Sequence, residues 1–165
     1  MNKGILYINN FSKLDKSVGT KINIMRFKPS WVCNSDVIDI EELAPSVALL
    51  NKWMSRDISW REYESIYLDE LLNSNMIGVT KLLKLLDEGQ NVTIHCTCSV
   101  SVEKLCHRYI VAELIKKNGY TVFEIPNKTK YESLVRDYSD LDEQMKVIVY
   151  NMINNKNYIT IPKEL

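Results

Sequence analysis

The stretch from Leu82 to Ile125 constrains the fold more than any other. An apolar helical run, "LLKLLDE", ends at Gly89, the usual helix stop. "NVTIHC" (Asn91–Cys96) then reads as a strand. A loop follows, and Ser101 is a fair N-cap for a helix over Val102–Lys117, stopped in turn by Gly119. "TVFEI" (Thr121–Ile125) is the next strand, closed by Pro126. A strand with a helix on either side is the signature of a central parallel strand. The expected fold is therefore α/β: three-layer, with a mostly parallel sheet and helices on both faces. In such sheets ligands sit outside the carboxyl ends of the strands.

The first half supplies the remaining strands and three helices. "GILYI" (Gly4–Ile8) reads as a strand ended by Asn9-Asn10, and "KINIMRF" (Lys21–Phe27) alternates as a second strand, stopped at Lys28-Pro29-Ser30. "VIDI" (Val37–Ile40) reads as a short extended piece. Pro45-Ser46 opens a helix with Val47, Leu49, Leu50, Trp53 and Met54 at helical spacing. Ser59-Trp60-Arg61-Glu62 has capping-box form and opens a second helix to about Leu72. A third runs over about Ile77–Glu88. Beyond Ile125, "YESLVRDY" and "SDLDEQMKVIVYNMI" suggest two more helices, and "YITIPKEL" an edge strand or a frayed tail.

No repeat, low-complexity tract or Gly/Ser linker interrupts the chain, so its 165 residues are expected to form a single domain, 1–165. Formal net charge is zero, which argues against a strong sequence-independent grip on nucleic acid. No apolar run reaches the roughly 18 residues of a membrane helix, and the N-terminal apolar run is too short for a signal peptide. A cytoplasmic setting is expected, with the four cysteines reduced.

Three segments should converge at the carboxyl edge: Asn9–Ser12, Arg26–Trp31 and Cys96–Ser101. The last begins a stretch holding both histidines and three cysteines, "VTIHCTCSVSVEKLCHRYIV". A phosphatase loop would need an arginine six residues after its cysteine. Val102 stands there after Cys96, and Lys104 after Cys98, so that reading fails. His95, Cys96, Cys98, Cys106 and His107 are all possible zinc ligands. Spacing argues against them. His95 and Cys96 should point to opposite strand faces, and Cys106 and His107, adjacent on a helix, should diverge by about 100°. No metal or other cofactor is expected. Cys98, in a loop before a helix N-terminus, is a candidate reactive thiol, whereas Cys96 and Cys106 read as core. Arg108 begins a helix apolar nearly all round. It must reach a carboxylate, a backbone cluster or an anionic ligand.

The segment "LCHRYIVAELIKKNGYTVFEI" resembles the Cys-His-Arg motif, helix, glycine and strand of the family named domain of unknown function 488. "LLKLLDEGQNVTIHCTC" is similar to that family's helix, glycine and strand ending in cysteine. "MRFKPSW", "LAPS" and "ISWREYESIYLDELL" resemble a subgroup whose second strand ends in Arg-x-x-Pro. The similarity covers about Leu6 to Ile125. Ser30 and Trp31 replace a basic residue and a glycine usual in that subgroup, and the Cys-His-Arg motif belongs to another branch. The resemblance implies a Rossmann-like fold and supplies no established reaction. By position it marks Cys96, Cys106, His107 and Arg108, with Arg26 and Pro29.

The expected function is binding of an anionic ligand at the carboxyl edge: a nucleotide, a phosphorylated metabolite or a nucleic-acid segment. Arg26, Lys28 and Arg108 would supply charge. The loop around Ser99 and Ser101 would cradle the anion with its amides, and Trp31 would stack on a base. Two alternatives stand beside it. One is an enzyme, zinc-dependent or thiol-dependent, with Cys98 or His107 as reacting group. The other is a non-catalytic binding module with Cys-His-Arg as a structural element.

Overall fold

A computed structural model describes residues 2–32, 36–98 and 105–125. By internal contacts the chain divides at Val122, and the account below concerns the unit that ends there. The expectation of one domain over 1–165 reaches beyond the described residues, as do Cys33, Ser99, Ser101, Lys104, the two later helices and the tail.

Five strands form one parallel sheet: β1 (Leu6–Asn10), β2 (Thr20–Asn23), β3 (Ile38–Asp39), β4 (Val92–Cys96) and β5 (Val122–Glu124). Their order is β3-β2-β4-β1-β5. The helices are α1 (Val47–Met54), α2 (Trp60–Asp69), α3 (Met76–Asp87) and α4 (His107–Lys117). The α/β, Rossmann-like expectation is met. β4 is the central strand, paired in parallel with β1 (Leu6 opposite Val92) and with β2 (Thr20 opposite Val92). All five of its residues are buried, as a strand with two neighbours and two covered faces requires.

The two faces differ. Val92, Ile94 and Cys96 share one face by the period of two. Ile94 and Val92 lie in the main core with Leu6, Ile8 and Ile22, together with Tyr67 of α2 and Ile110 and Val111 of α4. Thr93 and His95 point the other way, under a 3-10 segment, Phe11–Lys16, that carries the chain from β1 to β2. No helix among the described residues is long and apolar enough to cross a membrane.

Local signals hold where they are strong. Ser59 and Glu62 form both halves of the capping box. Gly89 and Gly119 end their helices with positive φ, 79° and 83°. Ser46 caps α1 through the amide of Leu49. Other boundaries move. β1 runs on through Asn9 and Asn10, because both side chains find partners at the sheet edge: Asn9 Nδ2 donates to the Lys13 carbonyl and Asn10 Nδ2 to the Cys98 carbonyl. β2 stops at Asn23 rather than Phe27. The Asn23 side chain accepts from the Met25 amide and donates to Asp39, and this local turn ends the ladder. α2 passes into a π-helical turn, Glu70–Ser74, instead of running as a plain helix to Leu72. The largest shift is at α4. It begins at His107, with Cys106 as an extended N-cap (φ −150°), not at Val102.

Gly78, in the first turn of α3, has a packing reason. A Cβ there would lie 2.9 Å from the Glu42 carbonyl carbon and 3.0 Å from the Leu43 amide nitrogen. In an exposed helix, Gly→Ala is stabilising by up to about 1 kcal/mol. Gly78→Ala should instead destabilise by about 1–3 kcal/mol, because backbone must move to admit the methyl group. Urea denaturation checks the sign.

Candidate metal centre at the carboxyl edge of the sheet

The chain leaves β1 toward β2 and leaves β4 toward β5, in opposite directions across the sheet. The carboxyl ends of these two neighbours are therefore the switch point where a ligand crevice is expected. The three segments anticipated there do converge. Asn10 Nδ2 donates to the Cys98 carbonyl at 2.9 Å. Phe11 meets Trp31 edge-on, with ring centroids 6.1 Å apart.

Four potential metal donors meet at the same place. The sulfurs of Cys96, Cys98 and Cys106 and a ring nitrogen of His107 all lie within 4.8 Å of one another. Cys96 Sγ is 3.1 Å from Cys98 Sγ, and 3.9 Å separates His107 Nδ1 from each of Cys96 Sγ and Cys106 Sγ. A tetrahedral zinc with Zn–S of about 2.3 Å and Zn–N of about 2.0 Å spaces its donors by about 3.5–3.8 Å. The observed separations bracket that range.

Each donor has a local cause. Cys96 is the last residue of β4, on the face toward α4. Cys98 follows two residues later, and its amide donates to Cys96 Sγ at 3.4 Å. Cys106 is extended, so its side chain is not carried around the helix with His107. The expected divergence of about 100° presupposed a helix already formed at Cys106; the helix starts one residue later, and the two side chains converge. His107 is 7% exposed. Its Nε2 lies 2.9 Å from the Ile24 carbonyl, to which only an Nε2–H can donate. That hydrogen bond leaves the Nδ1 lone pair facing the sulfurs, the tautomer arrangement of a metal-ligating histidine. Burial lowers the His107 pKa, which keeps the ring neutral and able to ligate.

The three thiols differ in acidity. Hydrogen bonds from Cys106 and Cys96 hold Cys98 down to about 2, with the Arg108 charge adding to the effect. Cys96 is raised to about 11: a hydrogen bond from Cys106 works against this, but contact with Cys98 and burial outweigh it. Contacts with Cys96 and Cys98, then burial, push Cys106 upward. Cys98 is thus the most acidic of the three thiols, and the only half-buried one.

The other sequence candidates are dispersed. Arg26 donates to the carbonyls of Pro45 and Ala44, anchoring the opening of α1. Lys28 pairs with Asp39 at 2.8 Å. Trp31 and Phe27 are exposed, 62% and 68%. Pro29 accepts from the Val32 amide in the short turn that carries Trp31. Arg108 is buried and meets neither an ion-pairing carboxylate nor a free surface among the described residues. Its Nη1 donates to the carbonyls of Asn9, Cys96 and Cys98, each at 3.4 Å.

His95 lies on the opposite face, as strand alternation requires. Ser17 Oγ donates to its Nε2 at 2.6 Å, and its Nδ1–H points to the Ile22 carbonyl at 3.2 Å. Phe11 stacks on the ring at 5.0 Å. Sequence reading missed Ser17, whose Oγ also accepts from Asn9 Nδ2 at 3.4 Å; nothing in a polar loop marks which serine will face a histidine far away in the chain.

The fold and this site define an α/β protein with a four-donor, metal-competent Cys3His cluster at the carboxyl edge of a parallel sheet. The family model described as "Active DUF488-N3 subclade" matches residues 7–119, and the chain belongs to the DUF488 family. No curated protein and no solved structure matches it.

Burial, reinforced by Lys21 and Arg108 against the pull of the Ile22 carbonyl, lowers the His95 pKa to about 4. An unfolded histidine titrates near 6.5, so on acidification the unfolded chain takes the proton first. Stability is full above about pH 6.5 and falls as the pH drops toward 4. Between pH 7 and pH 5 this residue should cost about 2 kcal/mol. Urea midpoints of the wild type should fall over that window by more than those of His95→Gln; equal slopes would contradict a neutral buried His95.

Proposed function

We propose that the protein is a zinc-binding member of its family, with Cys96, Cys98, Cys106 and His107 as the ligands. One observation carries this reading: three sulfurs and an imidazole nitrogen converge within 4.8 Å while the other nitrogen of that imidazole donates to the Ile24 carbonyl. Sulfur and imidazole without carboxylate favour zinc among common divalent ions. Four protein donors make a closed centre, whose work is to hold structure rather than to activate water. It ties the end of β4, the connection after it and the first turn of α4 into one edge. Cys98 and His107 then act as ligands, not as reacting groups.

Protein purified without a histidine tag should carry about one zinc per chain by elemental mass spectrometry. Cys96→Ser, Cys106→Ser and His107→Ala should each lose most of it, and a strong chelator should lower the thermal midpoint of the wild type. A wild type free of metal, with Cys98 alkylated rapidly at pH 6, would replace this reading by the thiol one.

A second reading concerns a ligand at the same edge. We infer an anionic compound carrying a base, such as a nucleotide or a nucleic-acid segment. Its support is the switch-point position together with the exposed rings of Phe27 and Trp31. Arg26 and Lys28 have internal partners, so stacking rather than free cations would lead recognition. A nucleoside triphosphate should quench tryptophan fluorescence in the wild type and have little effect in Trp31→Phe. Equal quenching in both would remove Trp31 from the ligand site.

A further inference from the structure

Arg108 is a cation 2% exposed, buried without an ion-pairing carboxylate among the described residues. Its Nη1 spans three carbonyls at the long distance of 3.4 Å, and its Nε–H has no hydrogen-bond partner among the described residues. Carbonyl dipoles at that range do not offset the desolvation of a full charge. Two of the three carbonyls belong to Cys96 and Cys98, both donors of the cluster, and Arg108 directly follows a third donor, His107.

The formal charge of the centre completes the account. A divalent ion with three thiolates and a neutral imidazole carries one net negative charge. A buried site with uncompensated charge is costly in the same way as a buried arginine. Together the two cancel. We propose that Arg108 is the counter-charge of the Cys3His centre, a positioning residue that raises the affinity for a divalent metal by neutralising the metal–thiolate unit. In this account the adjacent Cys106, His107 and Arg108 act as one device, two ligands and their balancing cation. The inference rests on the zinc reading above.

The test measures zinc affinity by competition with a chromophoric chelator in the wild type, Arg108→Gln and Arg108→Lys. The cobalt(II) spectrum of each is recorded to report the ligand set. Arg108→Gln should bind zinc about 10–100-fold more weakly, the range for residues that act on a metal through its ligands. Its cobalt bands should keep the wild-type positions, because the donors are unchanged. Arg108→Lys should stay within about 3-fold of the wild type, although an ammonium cannot span the carbonyls of Asn9, Cys96 and Cys98 as the guanidinium does. Unchanged affinity in Arg108→Gln overturns the proposal. So does an equal loss in both variants, since the carbonyl clamp and not the charge would then be responsible. Should Arg108→Gln fail to fold, Arg108→Lys decides alone: near-wild-type affinity supports charge balance, and a large loss refutes it. A wild type that binds no zinc would instead defeat the metal reading itself.

Discussion

The pairing of β4 between β1 and β2 is the constraint on which the rest depends. Two parallel ladders hold Val92–Cys96 in one register, with Ile94 opposite both Ile8 and Ile22. Because side chains alternate, that register decides at once which residues look toward α4 and which look toward the 3-10 crossover. Cys96 falls on the α4 side and His95 on the other. A shift by one residue would bury His95 against α4, turn Cys96 away, and dismantle the cluster.

The carboxyl edge differs in chemistry from the sheet behind it. The core is built from aliphatic and aromatic side chains. At the edge, Asn9, Asn23, His95, His107 and Arg108 are all buried. Burying such groups costs free energy unless each finds a partner. Here the partners are backbone carbonyls and amides, one serine, the Asp39 carboxylate and a thiol cluster. Natural chains depart from a plain apolar core chiefly where function requires it, and this concentration of polar groups is the reason the edge is the candidate site.

Much of the architecture is legible in the sequence, because the signals are local. Gly89 and Gly119 end helices through their own positive φ, and Ser59 with Glu62 closes a cap within four residues. The misread strand ends share one cause, side chains with partners that a strand pattern does not show. Asn9 and Asn10 look like strand breakers but are strand residues with partners at the edge. Asn23 looks like an interior strand position but turns the chain through Met25 and Asp39. At α4 the apolar pattern extends upstream of the helix, so periodicity alone sets its start too early. That single boundary separates two diverging side chains from two converging ones.

The sequence by itself determined the alternation of strand and helix, the central place of β4 and the opposition of His95 to Cys96. Those follow from apolar periodicity, helix stops and the two-residue repeat of a strand, all properties of adjacent residues. Only the tertiary structure decided that Cys96, Cys98, Cys106 and His107 share one point, and that Arg108 is buried against the carbonyls of Asn9, Cys96 and Cys98. The His107 ring is oriented by the Ile24 carbonyl, 83 residues away in the chain, and Arg108 reaches the Asn9 carbonyl across 99. Contacts over such separations exist only once the sheet has brought the strand ends together, so no spacing within a motif can encode them.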